Sequence, residues 1–246
     1  MVHPPGGIVA CYQPLARLLG PERPFYGIRS RGLHGDCDLP ARLEDMAAEY
    51  VAGIQAVQPL GPYALGGWSL GGIIAMEVAH QLLAKGQAVE LLAFLDTTIP
   101  QGSANAAYAD DAQKSGLEYG LDFTLEELGQ LGPDEQLPYL WDHVRKLGVL
   151  DEDAPEAVVR QMLHDLKRLF HWHVKLCGEY RLRPFPGSIV LFRPMDAPVK
   201  IATSPDRGWR RLARRVDVHM VPGQHHSMVK EPRVRVLAEK LGQYLL

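Results

Sequence analysis

The alternation of apolar and polar positions along the chain changes character twice, near Pro100 and again near Pro186. Before the first change, residues 63–69 (YALGGWS) form a short apolar run ending in glycines, which predicts a buried strand. Residues 72–85 then place Ile74, Val78 and Leu82 on one helical stripe. Residues 89–95 (VELLAFL) are almost continuously apolar, as in a strand covered on both faces of a parallel sheet, and the run stops at Asp96. From about 101 to 185 the period becomes helical, with segments predicted at 124–147 and 155–180 and weak turn punctuation between them. Strand character returns in SIVLFRP (188–194) and VDVHMVP (216–222), and residues 233–246 put Val236, Leu237 and Leu241 on a closing helix. The pattern predicts one α/β domain over residues 1–246: a mostly parallel sheet flanked by helices, built from 1–100 and 186–246, with a helical lid inserted at about 101–185.

Composition narrows this little but excludes much. With 246 residues, 46% hydrophobic and 22% charged, the chain suits one globular domain with a sizeable core. A net charge of -3 gives no basic excess that would point to nucleic acid. Cys11, Cys37 and Cys177 are odd in number and widely spaced, without the pairing of a zinc site or disulfide framework. No apolar run approaches the roughly 18 residues of a membrane span, and the N-terminus has neither the basic start nor the apolar stretch of a signal peptide. A soluble, cytoplasmic protein is expected.

Chemistry enters at Gly67-Trp68-Ser69-Leu70-Gly71. A G-x-S-x-G sequence between a strand and a helix bends the backbone sharply enough to lift the serine hydroxyl clear of the sheet edge. The following helix points its N-terminus at the same spot, so its unpaired N–H groups favour negative charge developing on a substrate, and Leu70 N–H is the first candidate oxyanion donor. A serine hydroxyl is a poor nucleophile at neutral pH. It needs a histidine to take its proton and a carboxylate to orient that histidine. His225 and His226, in the turn VPGQHHSM after the last strand, are the best-placed bases, and the residues do not choose between them. Asp96 and Asp196 each follow a strand and each satisfy the chain order Ser, Asp, His, so spacing leaves the acid open as well. His164, His171 and His173 lie on a predicted lid helix and read as packing or surface residues.

The segments GPYALGGWSLGGIIAMEVAHQLLAKG, LLAFLDTTIP and VPGQHHSM, with the opening HPPGG, PFYGIRSRGL and LEDMAAEYVAGIQAVQPLGPY, together resemble the thioesterase domains that terminate non-ribosomal peptide synthetases and modular polyketide synthases. The likeness runs in order along nearly the whole chain. It implies an α/β-hydrolase fold, with Asp96 as the acid, His225 as the base, and Asp196 and His226 in supporting places. It also implies a second oxyanion donor from the HPPGG loop, where Pro4 and Pro5 have no N–H to give and Gly6 does. Domains of this kind carry a further strand before that loop, whereas this sequence begins Met1-Val2-His3, so the expected sheet lacks its N-terminal strand.

The implied activity is a serine thioesterase. Ser69 would take an acyl, peptidyl or polyketide chain from the phosphopantetheine arm of a carrier domain, in cis or in trans, and release it by hydrolysis or macrocyclisation. The partner is that carrier, and neither cofactor nor metal is required. Stand-alone editing thioesterases resemble the chain too, but tend to carry histidine before the serine and methionine after it, where this chain has Trp68 and Leu70. A carboxylesterase or lipase would share elbow and triad without a carrier, and a non-catalytic binding module would have no need to keep all three residue types. Phe123, Tyr139, Trp141, Phe170, Trp172 and Tyr180 are candidates to line an acyl channel or to pack the lid. The arginines at 210, 211, 214 and 215 read as a solvated helix face in preference to a carrier-docking patch.

Overall fold

Near-continuous apolar runs become strands where both faces of a parallel sheet are covered, as in β1 and β2, and four strands form one parallel sheet in the order β1-β2-β3-β4. The computed structural model describes residues 1–33, 38–100, 130–132, 135, 138, 139, 141, 142, 155–196 and 204–245. Within these the elements are α1 (Gln13–Leu19), α2 (Leu43–Val57), β1 (Tyr63–Trp68), α3 (Gly71–Ala84), β2 (Val89–Leu95), α4 (Glu156–Glu179), β3 (Phe185–Pro194), β4 (Ala213–Val221) and α5 (Val234–Gly242). The predicted strands and the helices at 72–85, 155–180 and 233–246 all occur with small shifts of boundary. The segment 124–147 lies largely outside the described residues.

Alternation along each strand divides the core in two. On one face Leu65, Leu92, Phe94, Ile189, Leu191 and Val216 meet α2, α3 and the second half of α4, where Leu176 and Cys177 are buried. On the other, Leu91, Leu95, Val190, Phe192 and Val221 meet Leu15 of α1 and the Val234, Leu237, Ala238 and Leu241 stripe of α5. That stripe begins at Val234, two residues earlier than the pattern predicts, and Val236 sits at its margin. Helix α3 is buried around most of its circumference, Gly71 through Ala79 included, because it is covered on both sides. Helix α2 was not predicted as an element, yet Leu43, Met46, Ala47, Tyr50 and Val51 are its buried residues and follow the i, i+3, i+4, i+7, i+8 spacing of an amphipathic helix. The arginines at 210, 211, 214 and 215 are exposed but do not share a helix face: two lie in the 3-10 turn Trp209–Arg211 and two in β4.

The expectation of a sheet without an N-terminal strand meets a definite arrangement at residue 2. Val2 bridges in parallel to both Gly67 and Ile28, so one residue continues the sheet beyond β1. Its N–H donates to Gly66 O (2.8 Å), while Ile28 N–H donates to Met1 O (2.8 Å). The Tyr12 hydroxyl locks this junction, donating to Val2 O (2.7 Å) and accepting from Trp68 N–H (2.8 Å).

Beside it lies a buried polar group formed by His3, Ser30, Tyr50 and His173. His3 donates Nδ1–H to Pro4 O (2.7 Å), so its Nε2 accepts from the Tyr50 hydroxyl (2.6 Å). His173 of α4 is hydrogen-bonded through Nε2 to Ser30 Oγ (3.1 Å), its ring 4.5 Å from that of His3. Burial pushes His3 down to about 4 and His173 well below the ordinary histidine range.

Two outcomes are expected. Between about pH 4 and 6.5 the unfolded chain binds a proton at His3 that the folded chain refuses, so stability is complete above 6.5 and falls as the pH drops toward 4. Urea midpoints measured at pH 7 and pH 5 should differ in that sense, and His3→Gln should flatten the difference. Tyr12→Phe leaves Val2 C=O and Trp68 N–H without their shared partner and should cost about 1–3 kcal/mol in denaturant unfolding.

Candidate active site

Because β1 and β2 are parallel, with Trp68 opposite Leu95, the residues that follow them emerge side by side at the carboxyl edge of the sheet. These are Ser69 and Asp96. Ser69 N–H donates to Leu95 O (2.9 Å), which continues the ladder one step past the strand, and Asp96 N–H donates to Phe192 O of β3 (2.8 Å). Both residues hold left-handed backbone, at φ 58 and 51 respectively. For a non-glycine residue this conformation costs about 1–3 kcal/mol and persists where the surrounding structure imposes it.

The imposition is visible in the packing of the elbow. A Cβ on Gly67 would fall 2.1 Å from the Gly71 carbonyl carbon, and one on Gly72 would fall 2.1 Å from Thr97 Oγ1. Only glycine lets β1 and the start of α3 close this tightly. Thr97 Oγ1 in turn donates to Ser69 O (2.9 Å), tying the turn after β2 to the turn after β1. Ser69 itself is 3% exposed.

Two backbone N–H groups, those named above as oxyanion donors, make no backbone hydrogen bond among the turns and loops of the described residues. One is Leu70 N–H at the head of α3, where the N–H groups of Gly72, Ile73 and Ile74 are already used by Ser69 O and Leu70 O. The other is Gly6 N–H. Gly6 and Gly7 have φ 90 and 88, and the loop is closed by Gly7 N–H to Pro4 O (3.1 Å) and Ser30 N–H to Gly7 O (3.0 Å). The loop packs on the head of α3: a Cβ on Gly71 would lie 2.5 Å from His3 O.

His225 stands in the turn after β4, which is closed by Ser227 N–H to Gln224 O (3.1 Å) and Gln224 N–H to Ser227 Oγ (2.9 Å). It donates Nδ1–H to Asp96 Oδ2 at 2.6 Å, with the carboxylate 4% and the imidazole 19% exposed. A carboxylate only accepts, so this contact fixes the proton on Nδ1 and makes Nε2 the basic nitrogen. The ring rests on Trp68, the residue before Ser69, with centroids 5.2 Å apart and planes inclined by 33°. His226 packs edge-on against the same indole, and burial with the neighbouring charges of His225 and Lys230 pushes it down to about 3. Asp196 is exposed and meets this turn through its backbone alone, donating N–H to Gly223 O (2.9 Å). The two acids that sequence spacing leaves level are thus separated by sheet order: β2 adjoins β1, and β3 lies one strand further out.

Two further charged side chains hold this region together, Arg207 and Glu77. The Arg207 side chain, 6% exposed, places Nη2 at 2.6 Å from Asp96 Oδ1. Glu77 of α3 is buried and accepts from the Tyr180 hydroxyl (2.5 Å) and from Arg183 Nη2 (2.7 Å), fastening the end of α4 to the helix that follows Ser69. Of the aromatic candidates, Phe170 and Tyr180 are buried, Trp172 donates Nε1–H to Pro40 O (3.1 Å), and Phe123 lies outside the described residues. His173 is buried and His164 and His171 are exposed. No cluster of three or more potential metal ligands occurs among the described residues, nor any helix long and apolar enough to cross a membrane.

Known proteins are similar to this chain over most or nearly all of its length. The thioesterase domain family model matches residues 1–244. A dimodular nonribosomal peptide synthase of Bacillus subtilis (strain 168) is 34% identical over 199 residues, which is 80% of this chain and 8% of that protein. The chain therefore spans a small part of that relative. Among solved structures, a four-domain nonribosomal peptide synthetase bound to AMP and glycine is similar at 28% identity and TM-score 0.73, over 98% of this chain and 19% of its own. The NocB thioesterase domain in covalent complex with a fluorophosphonate nocardicin G analog is similar at 27% identity and TM-score 0.64, over 100% of this chain and 92% of its own. With the family model covering all but the last residues and a solved thioesterase domain superposing throughout, the chain belongs to the thioesterase domain family, on the α/β-hydrolase fold.

Proposed function

We propose that this domain is a serine thioesterase that releases an acyl, peptidyl or polyketide chain from the phosphopantetheine arm of a carrier domain through an acyl-Ser69 intermediate. The observation that carries the reading is the 2.6 Å pairing of His225 Nδ1 with Asp96 Oδ2, next to an elbow that holds Ser69 in left-handed backbone. The covalent fluorophosphonate complex of the similar NocB domain supports a nucleophile in such a site. Similarity to nonribosomal peptide synthases supports a carrier-bound substrate.

In this reading Ser69 Oγ attacks the thioester carbonyl while His225 Nε2 takes the hydroxyl proton, and the Asp96 carboxylate stabilises the resulting imidazolium. The carbonyl oxygen gains the negative charge and receives hydrogen bonds from Leu70 N–H and Gly6 N–H. Each such donor is worth about 3–4 kcal/mol in the barrier. Collapse breaks the carbon–sulfur bond, and the leaving thiolate receives the proton held on His225. A water, or a hydroxyl or amine within the acyl chain, then gives its proton to the same nitrogen and attacks the acyl-serine; the acyl–Oγ bond breaks as His225 returns that proton to Ser69, yielding a free acid, a macrolactone or a macrolactam. The stretch at about 101–185 serves as the lid over this choice. The second half of α4, buried against the sheet, anchors it. No metal or cofactor takes part, and a cytoplasmic setting, where carrier-bound thioesters are made, suits the free thiols of Cys11 and Cys177.

Turnover of a medium-chain acyl thioester of truncated pantetheine should exceed that of the matching oxygen ester. Ser69→Ala should lower kcat/KM by about 10⁴-fold or more. A better oxygen-ester substrate would replace the carrier reading with an esterase, and an active Ser69→Ala would remove the nucleophile. Asp96→Asn should lower kcat about 10⁴-fold by favouring the wrong imidazole tautomer, while Asp196→Asn should stay within about twofold of wild type.

A further inference from the structure

Among the described residues three non-glycine positions have positive φ: Ser69, Asp96 and Arg207. Two of them are the proposed nucleophile and acid. The third meets the acid directly, with Nη2 at 2.6 Å from Asp96 Oδ1 and Nη1 donating to Asp96 O at 3.4 Å. Unfavourable backbone of this kind is kept where the surrounding structure imposes it, and here two instances follow the paired ends of β1 and β2 while the third lies against Asp96.

The loop that carries Arg207 is built to hold it there. Arg207 N–H donates to Ser204 O (3.1 Å) and Gly208 N–H to Ser204 Oγ (3.0 Å), closing the turn whose next residue, Gly208, also has positive φ, at 84. Arg193, at the end of β3 and 7% exposed, donates Nη1–H to Ser204 O (3.1 Å) and Pro205 O (2.8 Å). The fully buried Trp209 donates its indole N–H to Thr97 O (3.0 Å), and Thr97 is the residue whose hydroxyl holds Ser69 O. The loop therefore grips the turn after β2 at two consecutive residues, Asp96 through Arg207 and Thr97 through Trp209.

We infer that Arg207 is a positioning residue for the release reaction: it fixes the rotation of the Asp96 carboxylate so that Oδ2 meets His225, and its charge limits how strongly that carboxylate stabilises the imidazolium. This rests on the triad reading above and adds to it a fourth member paired with the acid. With Oδ1 ion-paired to the guanidinium and Oδ2 hydrogen-bonded to the imidazole, the carboxylate cannot turn without separating one of these two contacts. The other ionisable groups around the pair are His226 on the same turn as His225, Lys230 behind it, and Asp206 beside Arg207, whose carboxylate is engaged by Arg210 N–H (2.9 Å).

The test uses two substitutions. Arg207→Asn removes the guanidinium while keeping a residue that tolerates left-handed backbone, and Arg207→Lys keeps a positive charge. With the acyl thioester used above, Arg207→Asn should lower kcat/KM at pH 7 by about tenfold or more and move the acidic limb of its pH profile up by about one unit. The upward direction follows because removing a cation beside Asp96 lets the carboxylate favour the protonated imidazole. Arg207→Lys should recover most of the rate and return the limb toward wild type. If folded Arg207→Asn loses thermal stability but keeps kcat/KM and the acidic limb of wild type, Arg207 is structural only and the inference falls, while the triad reading stands. If Ser69→Ala remains active in the same assay, the triad reading fails first and takes this inference with it.

Discussion

Everything at this site depends on the parallel pairing of β1 with β2, which ends with Trp68 beside Leu95 and places the next residue of each strand at the same edge. A backbone hydrogen bond of 2.9 Å from Ser69 to Leu95 carries that pairing one step further, and the Thr97 hydroxyl adds a second tie to Ser69 O. Parallel strands require crossover connections, and the crossover here is α3, whose head must approach the sheet closely enough to exclude a Cβ at Gly67 and Gly72. The glycines, the left-handed serine and the buried helix are thus one geometric requirement seen at different residues. His225 reaches the same edge from the far side of the sheet, at the end of β4, and meets Asp96 there.

The polar groups that hold this arrangement are buried, and burial makes them consequential in both directions. The Tyr12 hydroxyl, the His3 and His173 rings and the Glu77 carboxylate each lie in the core with partners at hydrogen-bond distance. Satisfied, such groups fix one arrangement of loops around the elbow; unsatisfied, each would cost more than an apolar residue in its place. They tie the segment that opens the HPPGG loop to α2 and α4, and α4 in turn to α3.

How much of this was legible depended on whether a residue's role repeats along the chain. Strands β1 to β4 and helix α3 announce themselves by period, and the elbow by its glycines, because those signals recur at fixed spacing. Helix α2 carried such a signal at Leu43, Met46, Ala47, Tyr50 and Val51 that the sequence reading passed over. Spacing left Asp96 and Asp196 level, since both follow strands; that Asp96 is the one beside His225 depends on sheet order, which is a long-range property. The same holds for the arginines at 210, 211, 214 and 215, expected on one helix face but divided between a 3-10 turn and a strand. Arg207 had no sequence signal beyond the turn-forming Gly208 that follows it. Its importance rests on a backbone angle and a contact across 111 residues.

The account stands most directly on where the acyl group goes. A carrier domain bearing an acyl chain on its phosphopantetheine arm, mixed with this domain, quenched within the first turnover and digested for mass spectrometry, gives the answer at peptide resolution. Transfer of the acyl mass to the peptide containing Ser69, matched by appearance of the free carrier thiol and absent in Ser69→Ala, is the predicted result. Loss of the acyl chain from the carrier at the same rate in Ser69→Ala, with no adduct on that peptide at any quench time, would contradict it.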